Sequence, residues 1–319
     1  MIPAPVHVDA MEARLAELHP GARVSRRPSP YATSHMAEEV DVEAGDAVIG
    51  LLLKHVGAGS LMPGARGTKP APLDCAAREL YALRDLLPPL GLGTPRLFAA
   101  RAATAERDGW LLIERVDGIQ LWQAGDLDPW EAAARWLATL HRIGAGIAAG
   151  GTPLVRWDAE YLASWPERAR QVQSGGETER RARIDWLAAR WPALVERLCA
   201  LPATVLHGEF YPSNVIVAGA RICPVDWELA AHGPGVIDLA ALVSGWDDAE
   251  RAGLMRAYAG AMAGGGWWRD ERELGAALDD ARICLCMRWL GWAEGWEAPP
   301  EHRHDWLAEA LATVEERGL

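Results

Sequence analysis

Residues 207–228 read HGEFYPSNVIVAGARICPVDWE, and this segment limits what the chain can be more than any other. It opens with His207, Gly208 and an acid, Glu209. Asn214 follows on a loop, then an apolar run, then Asp226. A loop and a short hairpin would bring a carboxylate, a carboxamide and a second carboxylate to one place. Phosphoryl transfer needs such a set, with one group to orient an attacking hydroxyl and two to hold Mg²⁺ against the phosphates. Read separately, Asn214 is an ordinary Pro-Ser-Asn turn residue and Asp226 a strand-end cap. The joint spacing favours the paired reading.

The segment resembles the catalytic core of the aminoglycoside phosphotransferase family, small-molecule kinases with a protein-kinase-like fold. The family pattern is HGDxxxxN, an apolar strand, then (I/V)DWE. Here it stands as His207-Gly208-Glu209, Asn214 and Val225-Asp226-Trp227-Glu228. The departure is Glu209, where the family usually has Asp. The resemblance implies an α+β, bilobal protein-kinase-like fold. It places a β-rich N-lobe with one main helix over 1–114, a hinge over 115–118 and a larger, mostly helical C-lobe over 119–319.

The rest of the chain accommodates that layout. Hairpin-like stretches fill 22–56, with a turn at Glu43-Ala44-Gly45-Asp46. A Gly- and Pro-rich loop spans 57–72, and Asp74 is placed to cap a helix through CAARELYALRDLL that Pro88 and Pro89 end. Two strand-like runs follow, PRLFAAR and GWLLIERV. Beyond the hinge the spacing of Trp130, Ala133, Leu137 and Leu140 predicts a helix opened by Asp128-Pro129. Further helices are expected at 9–18, 158–172, 177–199, 236–262, 270–292 and 304–317.

Lys54 ends the apolar run Ile49–Leu53, and Glu79 lies in the following helix. Alone, they read as a strand-end lysine reaching water and a helix-surface acid. Beside the downstream motif, they read as the Lys–Glu pair that kinases need to hold the α- and β-phosphates. Arg78, next to Glu79, competes with it for the inward face. Thr33 and Ser34 lie in a turn able to cradle phosphate oxygens, or equally in an ordinary hairpin turn. Glu114, just before the hinge, and Val116, within it, are expected beside the nucleotide. His207 and Asp238 are expected to brace the catalytic loop, as the resemblance implies. Glu228, two residues past Asp226, would share its face if the strand continued.

Half of the residues are hydrophobic, enough for a sizeable core, and the formal net charge of −12 argues against non-specific nucleic-acid binding. Neither a signal-peptide layout nor an apolar run of membrane-spanning length is visible. Five dispersed cysteines suit reduced thiols, so a cytoplasmic enzyme without nucleic-acid or membrane partners is expected. Cys284 and Cys286 read as buried apolar residues, and His302 and His304 as surface residues before a helix. The Trp-rich stretch Trp289, Trp292, Trp296 reads as core packing or as an aromatic wall for a flat or cationic substrate.

The expected activity is transfer of the γ-phosphoryl group of Mg²⁺-bound ATP, with GTP left open, to a hydroxyl of a small molecule: an aminoglycoside, a sugar, an amino alcohol or a natural product. Glu209 would be the base. The alternative is a nucleotide-binding pseudokinase in which Glu209 impairs turnover.

Overall fold

In a computed structural model of the chain, residues 21–30, 35–62, 73, 75–263, 267–292 and 304–317 are described. The expected helix at 9–18, the turn carrying Thr33 and Ser34, the Asp74 cap, Trp296 and His302 lie outside those residues.

Five antiparallel strands form the first sheet, in the order β1-β2-β3-β5-β4. They are β1 (Arg23–Pro28), β2 (Ala37–Ala44), β3 (Ala47–Val56), β4 (Leu97–Arg101) and β5 (Gly109–Glu114). The β2–β3 hairpin turns at Gly45, whose φ of 62° suits glycine. Side chains alternate across the sheet. Val40, Val42, Leu51, Leu53, Trp110 and Leu112 make a small core on one face. Val56, Leu111 and Ile113 join the main core on the other. Period two puts Lys54 on the same face as Leu52 and Val56, toward helix α1 (Ala76–Tyr81). This helix continues as a π turn through Ala82–Leu86, and a 3₁₀ turn at Pro88–Leu90 stops it.

After β5 the chain passes through 115–118 to a short strand, β6 (Ile119–Gln120), and becomes mostly helical. Helix α2 (Asp128–Gly144) buries Trp130, Ala133, Leu137 and Leu140, as its spacing requires. The short strand β7 (Val155–Arg156) is followed by helices α3 (Ala159–Val172) and α4 (Thr178–Cys199), which lead to β8 (Ala203–Leu206). The hairpin β9 (Val215–Ala218) and β10 (Arg221–Pro224) pairs with β6, while β11 (Ala231–Pro234) lies between β7 and β8.

The single helix expected over 236–262 is two: α5 (Val236–Leu242) and α6 (Asp248–Ala261). Gly245 takes a φ of 87° between them, and the Asp247 carboxylate accepts the N–H groups of Ala249 and Glu250 to start α6. That cap satisfies amides left without partners at a helix start. Helix α7 (Glu271–Leu290) is buried along most of its second half, with Cys284 and Cys286 both inside beside the charged Asp280 and Arg288. Helix α8 (Trp306–Arg317) packs against it. His304 stays partly exposed and pairs with Glu309.

Candidate active site

Lys54 Nζ lies 2.7 Å from Glu79 Oε2, 2.5 Å from Asp226 Oδ1 and 3.9 Å from Glu228 Oε2. One ammonium thus gathers three carboxylates from a helix and a distant turn. Burial disfavours its charge, but Asp226, Glu79 and Glu228 outweigh that and hold its pKa well above that of a free lysine. Burial pushes Glu79 up to about 7, with Lys54 pulling the other way. Three acids around one cation leave an excess of negative charge, which adds to the burial that raises Glu79.

Arg78 does not compete with Glu79 for the lysine. Both are buried, and the guanidinium donates to the carbonyls of Leu73, Pro153 and Glu228. It thereby fastens α1 to the turn carrying Asp226 and Glu228. The register of the Lys54–Glu79 pair depends on this anchor.

Asp226 has a φ of 65°, the only positive φ outside glycine among the described residues. Strain of this kind collects at functional sites. The chain therefore leaves the extended path at Asp226 and enters a 3₁₀ turn, Trp227–Leu229. The expected continuation of the strand to Glu228 does not occur; the turn, not strand alternation, carries Glu228 toward Lys54. Trp227 is buried and its indole N–H donates to Pro224, pinning the turn.

His207 links the loop to Asp226. Its Nε2 is 2.9 Å from the Val225 carbonyl, and its Nδ1 accepts the Glu209 N–H at 3.3 Å. A carbonyl cannot donate and an amide N–H cannot accept, so the ring is the neutral Nε2–H tautomer. Burial lowers its pKa in agreement, against the pull of Asp238. Asp238, in the first turn of α5, accepts the N–H groups of His207 at 2.6 Å and Gly208 at 2.9 Å. Gly208 has a φ of 87°, and a Cβ there would stand 2.1 Å from the Leu229 carbonyl oxygen. No other residue fits. His141 was not anticipated from sequence: it is fully buried, holds Tyr258 through Nδ1 at 2.8 Å and approaches Asp238 at 3.6 Å.

Asn214 Nδ2 donates to the Glu209 backbone carbonyl at 3.0 Å, and the Asn214 backbone carbonyl accepts the Val225 N–H at 2.8 Å. The amide nitrogen is thus committed, and Oδ1 is what the side chain offers a cation. Mg²⁺ takes hard oxygen ligands, usually one or two from the protein with phosphates and water. The Asn214 amide oxygen and the one-third-exposed Asp226 carboxylate fit that demand.

Glu209 is 16 % exposed, and its Oε1 lies 3.0 Å from Nη2 of Arg288 on α7. Arg288 was not anticipated either. It is 1 % exposed, with its guanidinium 4.6 Å from the Trp292 ring centre and 5.6 Å from that of Trp157. A guanidinium amid an otherwise apolar run, ICLCMRWLGW, was the available signal. Phe210 is buried against Trp136, and the Tyr211 hydroxyl accepts from Trp289 at 2.6 Å, so the loop after Glu209 is held on both sides.

The Glu114 carboxylate is taken up by Arg221 at 2.6 Å and by the Arg96 N–H at 3.1 Å. Arg221 also donates to the carbonyls of Gly93 and Thr94. The Glu114 side chain therefore ties β5 to β10, and any contact with a nucleotide is left to its backbone. Val116 is half-buried in the 115–118 link.

The sequence matches the model of the APH phosphotransferase enzyme family over residues 61–274. It is 27 % identical over 173 residues to homoserine kinase of Rhizobium etli strain CIAT 652, covering 52 % of this chain and 50 % of that protein. It is 33 % identical over 164 residues to homoserine kinase of Nitrobacter winogradskyi, covering 48 % of this chain and 45 % of the other. The chain thus spans half or less of the length of these relatives. Among solved structures it resembles a microcompartment-associated aminopropanol kinase, with a TM-score of 0.63, 16 % identity and 97 % of each chain covered. It also resembles a choline kinase from Streptococcus pneumoniae, with a TM-score of 0.63, 16 % identity and 96 % and 98 % covered. These likenesses show a protein-kinase-like fold. On that fold, the family match over two thirds of its length places this chain in the APH phosphotransferase enzyme family.

Proposed function

We propose that the chain transfers the γ-phosphoryl group of ATP to a hydroxyl of a small molecule, with Glu209 as the base. One observation supports the reading: a lysine from β3 meets an acid from α1 and Asp226 of the 207–228 segment, in which Asn214 holds the backbone of Glu209. The alcohol oxygen forms a bond to the γ-phosphorus, the bond to the β–γ bridging oxygen breaks, ADP leaves, and the hydroxyl proton passes to Glu209. Bound at Asn214 and Asp226, Mg²⁺ would supply charge neutralisation between the phosphates. Lys54 is placed to meet phosphate oxygens once they draw it from Asp226. Glu79 then keeps the ammonium aimed. Asp238 and His207 fix the loop, so Glu209 needs no rearrangement during the reaction, and positioning supplies much of the rate.

The acceptors named for the relatives, homoserine and aminopropanol, set the scale of the substrate: a few carbons with one hydroxyl. The test is ADP release from Mg²⁺ and ATP by the purified chain across a panel of such alcohols. Acceptor-dependent ADP release that vanishes in Asp226→Ala is expected. Its absence with every acceptor, together with no slow hydrolysis by water, would sink the reading in favour of a nucleotide-binding protein without turnover.

A further inference from the structure

Arg288 touches Glu209, the base proposed above, and its donors are mostly unspent. Its Nη2 meets Glu209 Oε1 at 3.0 Å, but Nε and Nη1, both buried, have no hydrogen-bond partner. An arginine carries five N–H donors in a fixed planar fork and cannot lose its charge. Buried donors without partners are costly, and native structures rarely keep them without use. The Tyr161 hydroxyl lies beside the guanidinium, also buried and without a well-formed hydrogen bond. Two side chains with unused hydrogen-bonding capacity therefore lie next to the base, behind walls of Trp157, Trp289 and Trp292.

These walls also answer a question of charge. An aromatic enclosure near a kinase base suits a cationic substrate. Here the enclosure already holds a cation, the chain's own Arg288, 4.6 Å from the Trp292 ring centre. A second cation placed against it would be repelled. A planar anion would complete the fork, and a carboxylate matches its geometry with two parallel N–H···O bonds.

We propose that the acceptor is a hydroxylated carboxylic acid, amino acids included, and that Arg288 with Tyr161 binds its carboxylate while Glu209 faces its hydroxyl. Arg288 is then a specificity-determining residue that links recognition to the base: the guanidinium holding the carboxylate is the one touching Glu209. A hydroxyl a few bonds from the carboxylate falls beside Glu209, which limits the acceptor to a short carbon chain. The inference rests on the phosphotransferase reading and narrows it, separating hydroxy acids from the amino alcohols with which a protein of this fold is compatible.

Three compounds sharing one hydroxyl arm test it: L-homoserine carries a carboxylate and an ammonium, 4-hydroxybutyrate only the carboxylate, and 3-aminopropan-1-ol only the ammonium. The pairs serine with ethanolamine and threonine with 1-aminopropan-2-ol extend the series. Binding to the full chain is measured by calorimetry with Mg²⁺ and a non-hydrolysable ATP analogue, and phosphoryl transfer by ADP release. The carboxylate-bearing member of each set should bind about ten- to a hundredfold more tightly than its decarboxylated partner, the worth of hydrogen bonds to a charged group. Arg288→Met should erase that preference by weakening the acids, and Arg288→Lys should restore only part of it, because a point charge lacks the planar fork. Equal or tighter binding of the amino alcohols to the unaltered chain would overturn the proposal, even if Arg288→Met fails to fold. So would an undiminished preference for acids in a folded Arg288→Met. If ADP is released with amino alcohols alone, the carboxylate site falls while the phosphotransferase reading stands. If acids bind through Arg288 with no ADP from any acceptor, the site stands and the phosphotransferase reading falls. If no acid binds at all, the carboxylate site is wrong.

Discussion

Lys54 and Asp226, 172 residues apart, meet at 2.5 Å, so the group suited to grip phosphate and the group suited to grip a metal neutralise each other. In the proposed reaction, nucleotide entry would exchange this contact for two others, ammonium to phosphate and carboxylate to Mg²⁺. Glu79, 2.7 Å from the lysine, would keep the buried cation from being left alone.

Removing either end of that exchange should stop the reaction in different ways. Asp226→Ala and Asn214→Ala are expected to reduce Mg²⁺-dependent ADP release below detection, since few other oxygens are available. Lys54→Ala should lower kcat/KM for ATP by roughly a hundredfold or more, the scale of losing one preorganised charge contact. Steady-state kinetics across a Mg²⁺ titration separates the two cases. Near-normal turnover in Asp226→Ala would contradict the metal assignment.

Glu209 tests the base. Glu209→Gln keeps the shape, and hence the affinity for Mg²⁺ and ATP within a few-fold, but loses the proton acceptor; turnover should fall by about 10²- to 10⁴-fold. Glu209→Asp retracts the carboxylate by about one bond length from Arg288 and the acceptor, and misplacement on the order of 1 Å can cost about a hundredfold. Single-turnover rates at saturating nucleotide report both. A gain of activity in Glu209→Asp would mean that the glutamate is an impairment, not a working base.

Glu79 predicts a pH dependence of stability. Its pKa in the folded chain is pushed up to about 7 from 4.5, so the folded state binds a proton more tightly than the unfolded state does. The contribution of this group to stability is therefore full below about pH 4.5, declines as pH rises toward about 7, and then stays constant. Glu79→Gln lacks the effect. The Tm of the nucleotide-free wild type, relative to Glu79→Gln, should fall between pH 5 and pH 8. A difference that is flat or rises with pH would rule out the raised pKa.

Asp238 is a structural prediction. It is fully buried and accepts two backbone N–H groups at the start of the catalytic loop. Asp238→Ala strands both donors, at about 1–3 kcal/mol each. Urea denaturation should show a loss of roughly 2–6 kcal/mol, and turnover should fall with it as the loop loses its anchor. A variant with wild-type stability would show that water replaces the carboxylate, leaving no role for Asp238 in holding the loop.

Much of the site could be read in the chain because it is compressed into one segment. From His207 to Glu228 the functional groups lie on a loop and a hairpin, so local spacing fixes their relation. The β2–β3 hairpin could be read for a similar reason: strand alternation and the Gly45 turn are local. Where reading failed, the signal was weaker than its context. The helical spacing over 236–262 masked the break at Gly245 and Asp247, although both residue types are known stops and starts. Glu228 was placed by assuming that the strand went on, when the backbone turns at Asp226.

The chemistry on offer, the family pattern and most of the longer helices could be read from the chain, because these depend on residue type and short-range periodicity. That Arg78 braces α1 while Glu79 turns to Lys54 came from packing. Packing likewise placed Arg288 against Glu209, 79 residues away, with Nε and Nη1 left without partners. Such relations depend on how helices pack and on which polar groups packing leaves without water. Neither is written in the spacing of residues along one segment.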